Sequence, residues 1–316
     1  MSGIPTPSPS DLADLMRRLG PATLEKRLAR ERFLWRKKSA LGAGLRANLA
    51  NAENWAALIL RATGLWRTAN AAFRDVRLKT NHVALDGLPP AFHGFRLLQL
   101  SDLHCDLDPG LIHIVERLVE GANYDAVVLT GDFQDRIIAN DGIALRLMEG
   151  FIPKLHAPRF GILGNHDLLA GVSALERAGL PILLNEGVAL KRDGGELWIC
   201  GIDDPRFFQT HDLAAARRNV PPGATTILLS HAPDTWQHAA DLGYDLLLAG
   251  HTHGGQICLP GGFIIARNSR APTRMLAGPW RYKNMQGYTS TGTGACGVAA
   301  RLFCPAEATI HVLHRA

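Results

Sequence analysis

Leu247-Leu248-Ala249-Gly250-His251-Thr252-His253-Gly254-Gly255 is the stretch that decides how this chain reads. The apolar run from Tyr244 to Ala249 has the length and composition of a buried strand. It breaks off in two histidines at i and i+2, set among glycines whose backbone bends freely. Such a turn can present two imidazoles to a metal ion. Taken alone it is equally a loop with two surface histidines, since short motifs match by chance. Ligands arriving at other strand ends would separate the two readings.

They arrive upstream. Residues 95–100 read as a strand that ends on Ser101-Asp102-Leu103-His104. An amphipathic helix is expected over residues 111–119. Ala126-Val127-Val128-Leu129 then runs into Thr130-Gly131-Asp132-Phe133-Gln134-Asp135-Arg136. Residues 160–163 run into Gly164-Asn165-His166-Asp167, and residues 226–229 into Ser230-His231. Five apolar runs, most separated by helical stretches, each end in polar residues able to bind metal. This is the pattern of an α/β protein with its site at the carboxyl ends of the strands. The candidate ligands are Asp102, His104, Asp132, Asn165, His231, His251 and His253. Oxygen and imidazole donors without thiolate suit Mn, Fe, Zn, Co or Ni. Seven ligands are too many for one ion. They fit two ions sharing a carboxylate, a pair able to clamp a phosphoryl group and activate water at neutral pH.

In this order the blocks Asp-x-His, Gly-Asp-x-x-Asp, Gly-Asn-His-Asp, an isolated His and Gly-His-x-His closely resemble the calcineurin-like metallophosphoesterase superfamily. The likeness spans about residues 93–316. The tail, from Gly292-Thr293-Gly294 through Arg301 to Glu307, resembles that superfamily's bacterial membrane-associated branch. Some members of the branch cleave the pyrophosphate of UDP-diacylglucosamine. The resemblance implies a four-layer α/β/β/α sandwich of two mixed sheets flanked by helices. It also implies two divalent ions, with Mn favoured, and hydrolysis of a phosphodiester or pyrophosphate by metal-bound hydroxide. By position, Asp102, His104 and His253 would hold the first metal and Asn165, His231 and His251 the second, with Asp132 bridging. His166 would stabilise the phosphoryl oxygen or protonate the leaving group. The Asp135 carboxylate would orient His166, and Arg136 would contact the phosphate. A cyclic-nucleotide phosphodiesterase and a phosphoprotein phosphatase are the alternatives within enzymes. A non-catalytic interaction scaffold is the alternative outside them, and the intact ligand set argues against it.

The 316 residues divide by charge. Residues 1–80 carry 15 Lys or Arg against 6 Asp or Glu, a net +9, and the remainder 19 against 23, a net −4. The basicity belongs to an N-terminal arm, residues 1–80, and the catalytic domain is expected over 81–316. A nucleic-acid partner is not expected of such a body. The arm opens on a Pro- and Ser-rich stretch without the features of a signal peptide. Helix is expected from a cap at Ser10 to about Phe73, because Ala, Leu, Arg and Lys dominate. Its basic cluster (Arg30, Arg32, Arg36, Lys37, Lys38) and its Trp55, Leu58, Ile59, Leu65 and Trp66 have the character of a helix lying on an anionic membrane. A helical pair packed on the catalytic domain is the other expectation. The apolar stretch 55–60 is too short to span a bilayer. Five cysteines without a Cys-x-x-Cys pair fit a reducing cytoplasm, with peripheral attachment to the inner membrane as the expected placement. The segment Cys258 to Trp280 mixes Phe263, Ile264, Ile265 and Met275 with arginines. It is expected either to receive an acyl chain or to form a hairpin extending the second sheet.

Overall fold

Strands that are apolar on both faces belong where both faces are covered, and the five runs lie there. The computed structural model describes residues 4–40, 55–135, 142–156 and 158–316, with side chains from 37 to 40 excepted. Arg136 lies outside these residues. One sheet contains β1 (Arg77–Leu85), β2 (Arg96–Leu100), β3 (Ala126–Leu129), β4 (Arg159–Gly161) and β13 (Glu307–Arg315), in the order β1-β13-β2-β3-β4. The second contains β5 (Glu186–Arg192), β6 (Gly195–Gly201), β7 (Thr226–Leu229), β8 (Leu246–Ala249), β11 (Gly278–Tyr282) and β12 (Met285–Thr289), in the order β11-β12-β8-β7-β6-β5. Within them β2, β3 and β4 are parallel, as are β6, β7, β8 and β12. Their carboxyl ends therefore open on one side.

The period-2 alternation of side chains sorts the core into layers. Leu97, Ala126 and Val128 meet Ile227, Leu229, Leu246 and Leu248 between the sheets. Leu98, Leu100, Val127 and Leu129 face the other way, onto the helices Gly110–Glu120 and Ile143–Phe151. Leu228, Leu247 and Ala249 face the opposite outer layer with Leu213 and Ala239. The result is the four-layer α/β/β/α sandwich. Each fully buried leucine contributes roughly 1.5–3 kcal/mol.

The arm begins earlier than the Ser10 cap predicts. α1 (Pro9–Leu19) has Ser8 at its N-cap, because the Ser8 hydroxyl accepts from Asp11 N at 3.2 Å while the Asp11 carboxylate accepts from Ser8 N at 3.3 Å. Pro9 then fills the first helical position, where no N–H is needed. α2 (Pro21–Ala40) follows. Leu15, Leu19 and Leu24 are buried in the outer core, so the packed arrangement holds for this part of the arm. Arg18 lies 2.9 Å from Glu176 and 2.7 Å from Glu186. Arg27 is fully buried, paired with Asp203 at 3.1 Å, and its Nη2 donates to the Asp167 carbonyl at 3.0 Å. Residues 55–62 and Trp66–Arg74 are helical, and the arm's last residues enter β1. Among the described residues no helix is long and apolar enough to cross a membrane. The Cys258 to Trp280 segment does contain a hairpin, β9 (Cys258–Leu259) with β10 (Phe263–Ile264). It forms a separate two-stranded sheet, and β11 with β12 extends the second sheet instead.

Candidate metal centre

Where the strands end, the chain turns sharply to bring side chains back over their tips. Eleven non-glycine described residues have positive φ, and five of them are expected ligands: Asp102 (52°), His104 (41°), Asp132 (54°), His251 (67°) and His253 (50°). A left-handed conformation costs an L-residue roughly 1–2 kcal/mol, and such strain gathers at functional sites. Cross-links hold the turns. Asp102 N donates to the Gly131 carbonyl at 3.0 Å, His104 N to Asp132 O at 3.0 Å, and Gly250 N to His231 O at 2.9 Å. The Asp102 carboxylate accepts from His251 N at 3.1 Å, which ties the two sheets together.

The ligand atoms converge in two groups. Asp102, His104 and His253 each offer one atom within 4.8 Å of the others, and Asp132, His231 and His251 do the same. All six are buried. The Asp132 Oδ2 lies 3.2 Å from His231 Nε2 and 3.6 Å from His104 Nε2, so it faces both groups. Asn165 Oδ1 is 3.1 Å from His231 Nε2 and completes the second.

The tautomers sharpen this. His231 Nδ1 lies 2.8 Å from the Thr130 carbonyl, and His104 Nδ1 lies 3.0 Å from the Gln134 carbonyl. A carbonyl only accepts, so in each neutral ring the proton sits on Nδ1 and Nε2 carries a lone pair. Those lone pairs point at the Asp132 carboxylate, acceptor against acceptor. A cation between these acceptors relieves that arrangement. Burial opposes charge on His231, yet Asp132 outweighs it and holds the imidazole pKa up at about 10. Burial, then His104 and Arg301, push His253 well below the usual imidazole range. A proton can satisfy one corner of the cluster, and a pair of divalent cations fits the whole donor set.

Residues 95–255 match the family model for calcineurin-like phosphoesterases. The chain is 30% identical over 257 residues to the uncharacterized metallophosphoesterase YkoQ of Bacillus subtilis, covering 77% of this chain and 92% of that protein. The chain belongs to the calcineurin-like phosphoesterase family. It is a metal-dependent phosphoesterase with the ligand clusters of a binuclear centre. It is also 27% identical over 230 residues to the phosphodiesterase YaeI of Escherichia coli, over 68% of this chain and 81% of the relative. To a zebrafish (Danio rerio) transmembrane protein with a metallophosphoesterase domain it is 28% identical, over 82% of this chain and 62% of that protein.

In this phosphoesterase His166 stands at the edge of the first group, its ring centroid 4.9 Å from that of His104. Its Nδ1 donates to the backbone carbonyl of Asp135 at 2.7 Å, and its Nε2 lies 3.9 Å from the Cys296 Sγ. The expected Asp135 carboxylate is not the partner. It accepts instead from Gly297 N at 2.9 Å and lies 3.5 Å from His104 Nδ1. The turn after Asp132 delivers the main-chain oxygen to the ring, so the orienting group is backbone.

Three residues to which motif reading gave no role hold the site in shape. The Asp167 carboxylate accepts from Asp132 N at 2.8 Å, Phe133 N at 3.0 Å and Gly164 N at 2.8 Å, stapling two ligand loops together. Burial, then the nearby Asp132 charge, raise its pKa to about 6. Arg301 is fully buried and donates to the carbonyls of Thr291 at 2.7 Å and Gly292 at 3.1 Å. That loop in turn donates Thr293 N to Ser101 O at 2.7 Å and Gly294 N to Asp102 O at 2.9 Å. Arg27 reaches the Asp167 carbonyl from the arm. Asp167 stands beside Asn165-His166, and Arg301 follows the loop it fixes by seven to ten residues within the tail motif. Arg27 is distant in sequence from the loop it fixes.

Proposed function

We propose that the enzyme hydrolyses a phosphodiester or pyrophosphate bond in a membrane-linked or nucleotide-linked substrate, with UDP-diacylglucosamine as the type of molecule. The observation that carries the hydrolytic reading is the acceptor-on-acceptor packing of His104 and His231 against Asp132, with the Asn165 oxygen against His231 Nε2. Asp102, His104 and His253 would hold one ion, and Asn165, His231 and His251 the other, with Asp132 shared. Manganese suits this nitrogen and oxygen set. When bound, two such ions polarise phosphoryl oxygens and lower the pKa of an attacking water. With Nδ1 held by the Asp135 carbonyl, the Nε2 of His166 would donate to a phosphoryl oxygen or to the leaving group when protonated. Asp135 holds that ring by its carbonyl, and Arg136 is the further candidate phosphate contact.

The test is Mn-dependent hydrolysis of UDP-diacylglucosamine beside bis-p-nitrophenyl phosphate. His166→Ala should lower kcat by about 10²–10⁴-fold while two metals stay bound. Loss of metal in that variant would move His166 into the ligand set. Turnover of the diester alone would keep the two-metal chemistry and discard the lipid substrate.

Membrane proximity has its own support. Trp55 is 58% exposed and Phe263 72%, and Leu58, Ile59, Leu259, Ile265 and Phe303 are exposed with them. Leu60 is buried against Ala69 and Ala300 in a small cluster that also takes Ile257, the residue before β9, so helix 55–62 and the hairpin are neighbours. Residues 55–67 and 256–270 contain arginines and no Asp or Glu. Apolar side chains among cations fit an anionic lipid surface on the cytoplasmic side. The protein should sediment with phosphatidylglycerol vesicles at low salt and not with phosphatidylcholine vesicles. Phe263→Ser with Ile265→Ser should cut the bound fraction severalfold. Unchanged binding would remove the hairpin from that surface.

A further inference from the structure

A third group of donors stands beside the two that would hold the expected ions, and it brings a thiol. Asp135, His166 and Cys296, with His104 behind them, each offer one atom within 4.8 Å of the others. His104 already counts among the first ion's ligands, which leaves an oxygen, a nitrogen and a sulfur. The Asp135 carbonyl takes the His166 Nδ1 proton, so the lone pair of the neutral ring lies on Nε2, 3.9 Å from Cys296 Sγ. A ring whose other nitrogen donates to a backbone carbonyl is the usual form of a metal-binding histidine. Zinc bonds of about 2.3 Å to sulfur and about 2.05 Å to nitrogen set those atoms about 3.6 Å apart in a tetrahedral site. A small movement closes the pair on one ion. The loop that carries the thiol is braced. Gln256 accepts from Cys296 N at 2.9 Å and donates to the Cys296 carbonyl at 3.1 Å. Gly297 N donates to the Asp135 carboxylate at 2.9 Å, which ties that carboxylate to the same loop. Cys105, Cys200, Cys258 and Cys304 are buried, whereas Cys296 is half-buried, as are Asp135 and His166. An ion arriving from solvent can meet all three.

We propose that Asp135, His166 and Cys296 form a third cation site, selective for a soft divalent ion such as zinc or cadmium, whose occupation silences the enzyme. The proposal rests on the role given to His166 above. Thiolate is a soft ligand that suits zinc better than manganese, so this site selects a different ion from the nitrogen and oxygen pair. On binding, the Cys296 S–H bond breaks, its proton leaves to solvent, and a metal–sulfur bond takes its place. One thiolate and one carboxylate together balance the charge of one divalent ion. The same ion occupies the lone pair of His166 Nε2, which then has no proton to give to a phosphoryl oxygen or a leaving group. The binuclear centre keeps its own ions while its proton donor is taken away.

The experiment titrates the full-length, Mn-saturated protein with cadmium. It follows the ultraviolet thiolate-to-cadmium charge-transfer band, cadmium retained after gel filtration, and hydrolysis of bis-p-nitrophenyl phosphate. Wild type should take up one cadmium with the band, and its rate should fall about 10²-fold or more, the scale of a lost proton donor. Cys296→Ser should show no band and resist the inhibition, each rate being taken against the same protein without cadmium. Cadmium that enters only the manganese centre would give no band and equal inhibition in both proteins, which overturns the proposal. A band in wild type without loss of rate overturns it as well. If the Mn-loaded protein does not hydrolyse the diester, the hydrolytic reading fails separately and the band still decides the cation site. A band in wild type that Cys296→Ser lacks upholds the site, and no band in wild type refutes it.

Discussion

Asp132→Asn should lower kcat on any phosphodiester by about 10³-fold or more, on the scale of losing a principal electrostatic stabiliser. The change is nearly isosteric, so its effect is electrostatic. Asp132 Oδ2 faces His231 at 3.2 Å and His104 at 3.6 Å, while Oδ1 accepts from His166 N at 2.8 Å. A neutral amide withdraws the one charge that both ligand groups share. The buried like charge that raises the Asp167 pKa also disappears, so the metal-free variant should fold. Wild-type protein should gain thermal stability with added Mn, by about 2.7 kcal/mol at a hundredfold excess over Kd. The variant should gain little. Titration of Mn against melting temperature, with metal counted after gel filtration, checks both points. Two tightly held ions in Asp132→Asn would show that the carboxylate does not bridge.

Gly164→Ala should be nearly as damaging, although the residue has no functional group. A Cβ on Gly164 would lie 2.2 Å from Asp132 Oδ1 and 2.5 Å from Asp132 N. The second contact is with backbone, which no rotamer change relieves. Either the Asp132 turn or the Asn165-His166 turn must move, and both carry expected ligands. A misplacement of about 1 Å costs on the order of 10²-fold in rate, and the overpacking itself costs roughly 1–3 kcal/mol of stability. The variant should therefore lose metal as well as activity. Gly150→Ala is the control. It lies in the helix Ile143–Phe151 with nothing within 4 Å of its Cβ, and should raise stability by about 0.5–1 kcal/mol. Two bound metals and near-normal turnover in Gly164→Ala would mean that the ligand loops have slack that these distances deny.

The sequence by itself indicated the five strands β2, β3, β4, β7 and β8 and the candidate ligands at their ends, because each rests on local chemistry. An apolar run such as Leu246–Ala249 declares a doubly buried strand by its own composition, and Gly-His-Thr-His declares a turn that can hold metal. The boundaries moved by a residue or two. Ser8 rather than Ser10 caps the first helix because only the pairing of Ser8 with Asp11 completes the reciprocal cap. What the tertiary structure decided depends on groups far apart in the chain. No spacing rule shows that the Asp135 main chain, not its carboxylate, reaches His166, because the conformation of the turn sets which oxygen arrives. None shows that Arg27 of the arm is buried against Asp203 and the Asp167 carbonyl, or that Arg301 holds the loop that receives Ser101 and Asp102. A buried arginine is stable only among partners that neutralise and hydrogen-bond it; for Arg27 only Glu31, at 3.5 Å, is local, while Asp203 and the Asp167 carbonyl lie more than a hundred residues away. Local composition specifies elements and ligands, while long-range packing specifies which polar groups meet.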